Sequence, residues 1–290
     1  ALDANTGIIS GSMKENGGAM ARVSIQDASG AGATRTLMIV GGPNSLALTP
    51  PMGWNSWNAL GLAVDDAKAR QAADVMISSG LAAHGYRFVN IDDGWEKDRA
   101  ADGKIVANEK FPDMKSTADY VHSKGLLFGI YSSPGALTCG GYEGSRDHEK
   151  QDAESYAEWG VDYLKYDWCS YAAVAKDNSL PELKKPYEIM RDALQQSSRD
   201  IVFSLCQYGM GNVWEWGASA GGNLWRTTGD IVDTWGSMSG IGFSQNDLAK
   251  YAGNGHWNDP DMLVVGRVGW GQNLHPTRLS PNEQITHITL

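Results

Sequence analysis

Val161-Asp162-Tyr163-Leu164-Lys165-Tyr166-Asp167-Trp168-Cys169 is an apolar-rich run that ends abruptly on a lysine, an aspartate and a cysteine. A buried strand has little reason to carry a lysine and a carboxylate two residues apart. With the two-residue period of a strand, Lys165 and Asp167 point to the same side. That is the layout of a strand end entering a polar pocket. Trp225-Arg226-Thr227-Thr228-Gly229-Asp230 repeats the pattern, with a second carboxylate after a basic residue. Two carboxylates on separate strand ends, each with a cationic neighbour, match what hydrolysis of a glycosidic bond requires.

The pattern around this run is strand, loop, helix. Met52 to Trp57 reads as a first strand, and Asp65 caps a helix with Ala69, Ala72, Ala73 and Met76 on one face. Tyr86 to Ile91 is a second strand that ends in Asp92-Asp93-Gly94-Trp95. The helix from Met114 to Lys124 stops at Gly125, and Leu126 to Tyr131 is the third strand. The helix from His148 to Trp159 buries Ala153, Tyr156 and Ala157 and stops at Gly160, before the fourth strand at Val161 to Asp167. Leu183, Tyr187, Met190 and Leu194 mark the next helix. Ile201 to Cys206, Asn223 to Thr227 and His256 to Met262 are strands five to seven. Repeated units with near-continuously apolar strands imply an α/β fold with a parallel sheet. Polar clusters stand at almost every strand end, and in a (β/α)8 TIM barrel those ends share one mouth.

Residues 1–45 differ from residues 46–290. Leu2 to Gly11 reads as a turn and short strand, Met20 to Gln26 and Thr36 to Val40 as two more strands, and Gly41 to Ser45 as a linker. Three strands are too few for a sandwich, and they resemble the end of a bacterial immunoglobulin-like β-domain. Ile285 to Leu290 reads as the start of the seventh helix, so the expectation is a piece of a longer protein, truncated before the eighth strand.

Composition narrows the function classes. A hydrophobic content of 42% supports a sizeable core. Eleven tryptophans offer flat apolar area that suits the C–H faces of sugars. A net charge of −10 with no Lys/Arg cluster argues against nucleic acid as a partner. No apolar run reaches the ~18 residues of a membrane span. Cys139, Cys169 and Cys206 have no CxxC spacing, and the six histidines form no HxH or HExxH, which disfavours a metal hydrolase.

Seven ordered motifs now stand together: Pro50-Pro51-Met52-Gly53-Trp54-Asn55-Ser56-Trp57, Val89 to Trp95, Gly129 to Ser132, Lys165 to Cys169, Ser204-Leu205-Cys206, Trp225 to Asp230 and Trp257 to Met262. From about Thr49 onward the chain resembles the α-galactosidases of glycoside hydrolase family 27. The resemblance implies a catalytic (β/α)8 barrel, no metal or organic cofactor, and double displacement with retention at the anomeric carbon. It implies Asp167 as nucleophile and Asp230 as acid/base. Lys165 beside Asp167 is expected to hold that carboxylate ionised. Asp92 and Asp93, joined by Lys165, are expected to grip the 4- and 6-hydroxyls, Trp57 to pack on the sugar face and Arg226 to hold the 2-hydroxyl region. Tyr131, Cys206, Tyr208 and Asp261 complete the expected substrate-binding set.

The same resemblance pairs Cys139 with Cys169, which implies an oxidising compartment and a secreted or periplasmic bacterial protein. Retention of both Asp92 and Asp93 favours galactose over β-L-arabinopyranosides. Bulky Cys206 and Tyr208 disfavour N-acetylgalactosamine. Those two specificities, and a sugar-binding barrel without turnover, are the rival readings. Many relatives read Cys-Glu-Trp-Gly where this chain has Cys206-Gln207-Tyr208-Gly209, and Asp-Ala-Gly where it has Ser133-Pro134-Gly135.

Overall fold

Short runs of Val, Ile, Leu, Tyr and Phe, each ended by a polar cluster, form seven parallel strands in the computed structural model of the chain, which describes residues 2–5, 9, 17–42 and 45–290. An antiparallel hairpin, β1 (Gly17–Gln26) and β2 (Gly32–Gly41), comes first. The parallel strands are β3 (Met52–Asn55), β4 (Tyr86–Asn90), β5 (Leu127–Ser132), β6 (Tyr163–Asp167), β7 (Val202–Cys206), β8 (Leu224–Arg226) and β9 (Trp257–Asp259). They lie side by side in sequence order, and among the described residues β3 and β9 are the edges of this sheet. Residues that follow β3 and residues that follow β9 line one cavity, so the sheet is curled. At the mouth, the amides of Gly269 and Trp270 donate to the Asn58 carbonyl at 2.9 and 3.1 Å, and that of Gly271 donates to Ala59 at 3.3 Å. This strap joins the segment after β9 to the segment after β3. The arrangement is that of a (β/α)8 barrel over seven of its strands.

Strand alternation separates two cores. Phe88, Tyr163, Val202, Leu224 and Trp257 point inward and form the barrel floor with Leu46, the Phe88 and Tyr163 rings lying 5.5 Å apart. Val89, Ile91, Phe128, Ile130, Leu164, Tyr166, Phe203, Leu205 and Trp225 point outward into the main core under the helices. Each fully buried side chain of this size stabilises the fold by about 1.5–3 kcal/mol.

The longer helices are α1 (Asp66–Ser78), α2 (Met114–Ser123), α3 (Glu149–Trp159), α4 (Leu180–Gln196), α5 (Trp235–Ser244) and α6 (Pro281–Thr289). Asp65 caps α1 by accepting from the Lys68 amide, and Ala69, Ala73 and Met76 are its buried face. Gly160, with φ of 86°, ends α3 and turns the chain toward β6. Leu183, Tyr187, Met190 and Leu194 of α4 are buried as their spacing predicts. Helix α5 has no counterpart in the sequence reading.

β1 and β2 pair over ten residues each, longer than the sequence indicates. Both faces of the hairpin are largely exposed, with Met20, Ile25 and Met38 in the open. The expected turn and strand over residues 2–11 and the linker over 41–45 fall partly outside the described residues. Among the described residues no helix is long and apolar enough to cross a membrane.

Inside the barrel, the Asn90 side chain lies over Gly129, so that a Cβ there would lie 2.0 Å from the Asn90 Oδ1 and 3.0 Å from the Tyr163 Cβ. Gly129→Ala is therefore expected to destabilise the fold by about 1–3 kcal/mol. The urea midpoint of the variant checks this, and an unchanged midpoint would mean that the Asn90 side chain moves aside freely.

Candidate active site

The strand ends and the loops that follow them bring side chains to one cavity at the C-terminal end of the sheet, lined among others by Trp57, Asp92, Asp93, Tyr131, Lys165, Asp167, Tyr208, Arg226, Asp230 and Asp261. Asp92 and Lys165 anchor its base. Asp92 Oδ2 accepts from Lys165 Nζ and from Asn55 Nδ2, both at 2.9 Å, and its own amide donates to Ser56 Oγ at 2.9 Å. Burial opposes the charge on Lys165, yet the Asp92 and Asp167 carboxylates hold its ammonium well above the ordinary lysine range. Its Nζ lies 5.1 Å from the Tyr131 ring centroid. Asp93 accepts from the Gly140 amide at 2.5 Å, and its Oδ1 is buried without a partner.

Asp167 is buried and accepts a short hydrogen bond from the Tyr208 hydroxyl. Burial raises its pKa above the ordinary value, against Lys165 and the Tyr208 hydrogen bond, which lower it. Lys165 pulls the Asp167 pKa down as expected, but its hydrogen-bonded partner is Asp92, and burial of Asp167 outweighs the cation's pull. Cys139 and Cys169 form a disulfide that ties the loop after β5 to the end of β6. The Tyr208 hydroxyl lies 3.9 and 3.8 Å from its two sulfurs. Cys139, Cys169 and Asp167 have ligand atoms within 4.8 Å of one another, but sulfurs bonded to each other offer no thiolate to a metal. Cys206 is buried and lies behind the wall. It accepts from Arg226 Nη1 at 3.7 Å and is absent from the cavity lining, and burial pushes its thiol pKa up.

Arg226 spans the opposite wall. Its Nη2 lies 3.1 Å from Asp230 Oδ1 and 2.9 Å from Asp261 Oδ2. The Asp261 side chain is buried, and its backbone is left-handed, with φ of 92° and its amide donating to Asp259 Oδ1 at 2.9 Å. Asp230 is 74% exposed and stands at the rim.

All the expected catalytic and substrate-binding residues except Cys206 line this cavity, as does Cys139 of the disulfide, whereas Cys169 does not. Sequence reasoning missed Asn58, Met262, Ile231 and Trp270 on the wall. Asn58 adjoins the Trp57 motif, which was a usable signal. Trp270 stands in the Gly-rich stretch Gly266–Gly271, where no periodicity marks a functional side chain. Asn58 Nδ2, Arg226 Nε and Asp93 Oδ1 are buried and have no hydrogen-bond partner among the described residues. Two orphan donors and an orphan acceptor around one cavity suit a ligand with many hydroxyls.

Burial, first of all, lifts the Asp93 carboxyl from an ordinary 3.8 to about 6. Between those values the folded protein holds more protons than the unfolded chain. On this account stability falls as pH rises from about 4 to about 6, and the full penalty persists above that. Asp93→Asn is expected to raise the thermal midpoint at pH 7, with the gain vanishing toward pH 4. A gain equal at both pH values would show that ionisation of Asp93 is not its origin.

Residues 49–281 match the protein family described as Alpha galactosidase A. The chain is 49% identical over 234 residues to Alpha-galactosidase A of Cellvibrio japonicus, which covers 76% of this chain and 56% of that protein. It is 49% identical over 230 residues to the alpha-galactosidase of Cyamopsis tetragonoloba, with 78% and 54% covered. The structure of α-galactosidase from Saccharomyces cerevisiae with raffinose is similar at a TM-score of 0.75 and 33% identity, over 85% of this chain and 57% of that one. The chain thus spans about half the length of the curated relatives it matches. On sequence, sheet topology and solved-structure similarity alike, this chain belongs to the alpha-galactosidase A, or melibiase, family of glycoside hydrolases.

Proposed function

We propose that the chain carries the catalytic barrel of a retaining α-galactosidase that releases terminal α-linked galactose from oligo- or polysaccharides. The observation that carries this reading is one cavity holding Asp167 at its wall and Asp230 at its rim, with the Asp92–Lys165 pair at its base. Asp167 attacks the anomeric carbon as the glycosidic C–O bond breaks, and the departing oxygen takes a proton from Asp230. Asp230 then removes a proton from water, the resulting hydroxyl attacks the same carbon, and Asp167 leaves as a carboxylate. Two inversions retain the configuration.

Asp92, Lys165 and Asp93 grip the 4- and 6-hydroxyls, an arrangement that leaves buried groups unpaired when an epimer binds. Trp57 packs on the sugar face, and Arg226 holds the 2-hydroxyl side. A panel of nitrophenyl glycosides tests the reading, with α-galactose expected as the first-formed anomer. Hydrolysis of only the arabinopyranoside or the N-acetylgalactosaminide would overturn the substrate class. Sugar binding without hydrolysis would make the barrel a lectin.

The hairpin β1–β2 is assigned here to an immunoglobulin-like unit over residues 1–45, ahead of a barrel that begins at residue 46. Its antiparallel pairing and its exposure on both faces support a unit separate from the parallel sheet. The Cys139–Cys169 disulfide supports a secreted or periplasmic setting.

A further inference from the structure

Tyr208, in the segment Gln207-Tyr208-Gly209 just after β7, lines the cavity and presents a hydroxyl that donates to Asp167 Oδ1. Its backbone is left-handed, with φ of 63°, a conformation that a bulky residue adopts only when its surroundings enforce it. The enforcement is visible. The next amide, Gly209, donates to the Arg226 carbonyl at 3.0 Å, which ties the turn to the end of β8. The Arg226 guanidinium lies 5.9 Å from the Tyr208 ring centroid. On its other side the hydroxyl lies within 4 Å of both sulfurs of the disulfide, so the phenol is held between two fixed walls.

The geometry points to Tyr208 as a positioning residue for the nucleophile: its hydroxyl fixes the rotation of the Asp167 carboxylate and holds negative charge on Oδ1. This assignment rests on the functional reading given above. No proton is transferred in the role. The hydrogen bond is present while Asp167 is a carboxylate, remains to the carbonyl oxygen of the glycosyl ester, and strengthens again as the carboxylate departs. Both displacements therefore draw on it. The neighbouring groups act in known directions. Burial and Asp92 raise the Asp167 pKa, whereas Lys165 and the Tyr208 hydrogen bond lower it. Of the other groups that lower the Asp167 pKa, Cys206 offers only a thiol, a weak donor, and the hydrogen-bonded partner of Lys165 is Asp92.

Tyr208→Phe tests the assignment, since it keeps the ring and deletes the donor. With an aryl α-galactoside, kcat is expected to fall roughly ten- to a hundredfold, the worth of one hydrogen bond to a charged group, with KM little changed. The acid limb of the kcat/KM profile is expected to move to higher pH. In chain labelled with carboxyl-13C aspartate, with Asp167→Asn used to assign the signal, the Asp167 titration is expected to move the same way. The thermal midpoint should stay within a few degrees of the parent. A slower Tyr208→Phe variant whose acid limb and Asp167 titration are unmoved would overturn the assignment and reduce Tyr208 to packing. The titration needs no turnover, so a chain that cleaves no galactoside would sink the functional reading and still leave the Tyr208–Asp167 coupling decided by the carbon signal.

Discussion

Asp167→Ala is expected to lower turnover of every α-galactoside at least about a thousandfold, whatever the leaving group, because a covalent route has no substitute for its nucleophile. Fold loss does not compete as an explanation. Lys165 keeps Asp92 as its hydrogen-bonded partner at 2.9 Å, so no buried ammonium is stranded. Burial also raises the Asp167 pKa, which makes its charge at pH 7 a burden on the folded state, and its removal should not lower the thermal midpoint. The space left beneath the anomeric carbon admits a small anion. Azide is therefore expected to restore cleavage of a dinitrophenyl α-galactoside and to yield the β-galactosyl azide, inverted by a single displacement. Product configuration by NMR decides the matter. A variant that kept more than about a tenth of the parent rate would remove Asp167 from the reaction.

Asp230→Ala should behave differently. Loss of a general acid matters by how much the departing oxygen needs a proton, so poor leaving groups should slow about 10²–10⁴-fold. Dinitrophenyl galactosides should form the glycosyl-enzyme almost as before and then stall, because the base that activates water is also gone. A burst of phenolate followed by slow turnover is the expected trace. Azide, a nucleophile that needs no base, should relieve the stall and give the α-galactosyl azide, of opposite configuration to the product from Asp167→Ala. Arg226 retains Asp261 at 2.9 Å, so the wall should survive the substitution. Equal loss on good and poor leaving groups would deny Asp230 the acid role.

Much of this was legible in the residues. The strands were readable because Val161 to Asp167 and its counterparts are apolar runs bounded by glycine or acidic pairs, and the helices beneath them carry alanine faces such as Ala69 and Ala73. Helix α5 was not readable. Gly236, Gly240 and Gly242 give it poor intrinsic propensity, and its Trp235 and Phe243 are exposed, so no buried stripe marks it. Spacing along one strand put Lys165 beside Asp167, and the family resemblance joined it to Asp92 and Asp93; its hydrogen bond goes to Asp92 because an amine at the end of four methylenes reaches across strands, and β5 lies between its own strand and that of Asp92. Cys206 points into the barrel as alternation requires, yet Arg226 lies over its sulfur and screens it from the cavity. Sequence yields the direction in which a side chain starts, and neighbours decide where it stops.

The strap of Gly269, Trp270 and Gly271 against Asn58 and Ala59 is made wholly from main-chain amides and carbonyls. Side-chain replacement cannot delete such bonds, whereas insertion or deletion of a single residue would throw them out of phase. Three glycines are the exceptions: a methyl group would sit 2.5 Å from the Trp270 oxygen at Gly61, 2.2 Å from the Leu60 oxygen at Gly271 and 2.8 Å from the Leu274 Cα at Gly269. Away from those glycines, evolutionary drift through this rim should be tolerant of spelling and strict about length, and the lateral gap between the first and last strands stays bridged for as long as that count is kept.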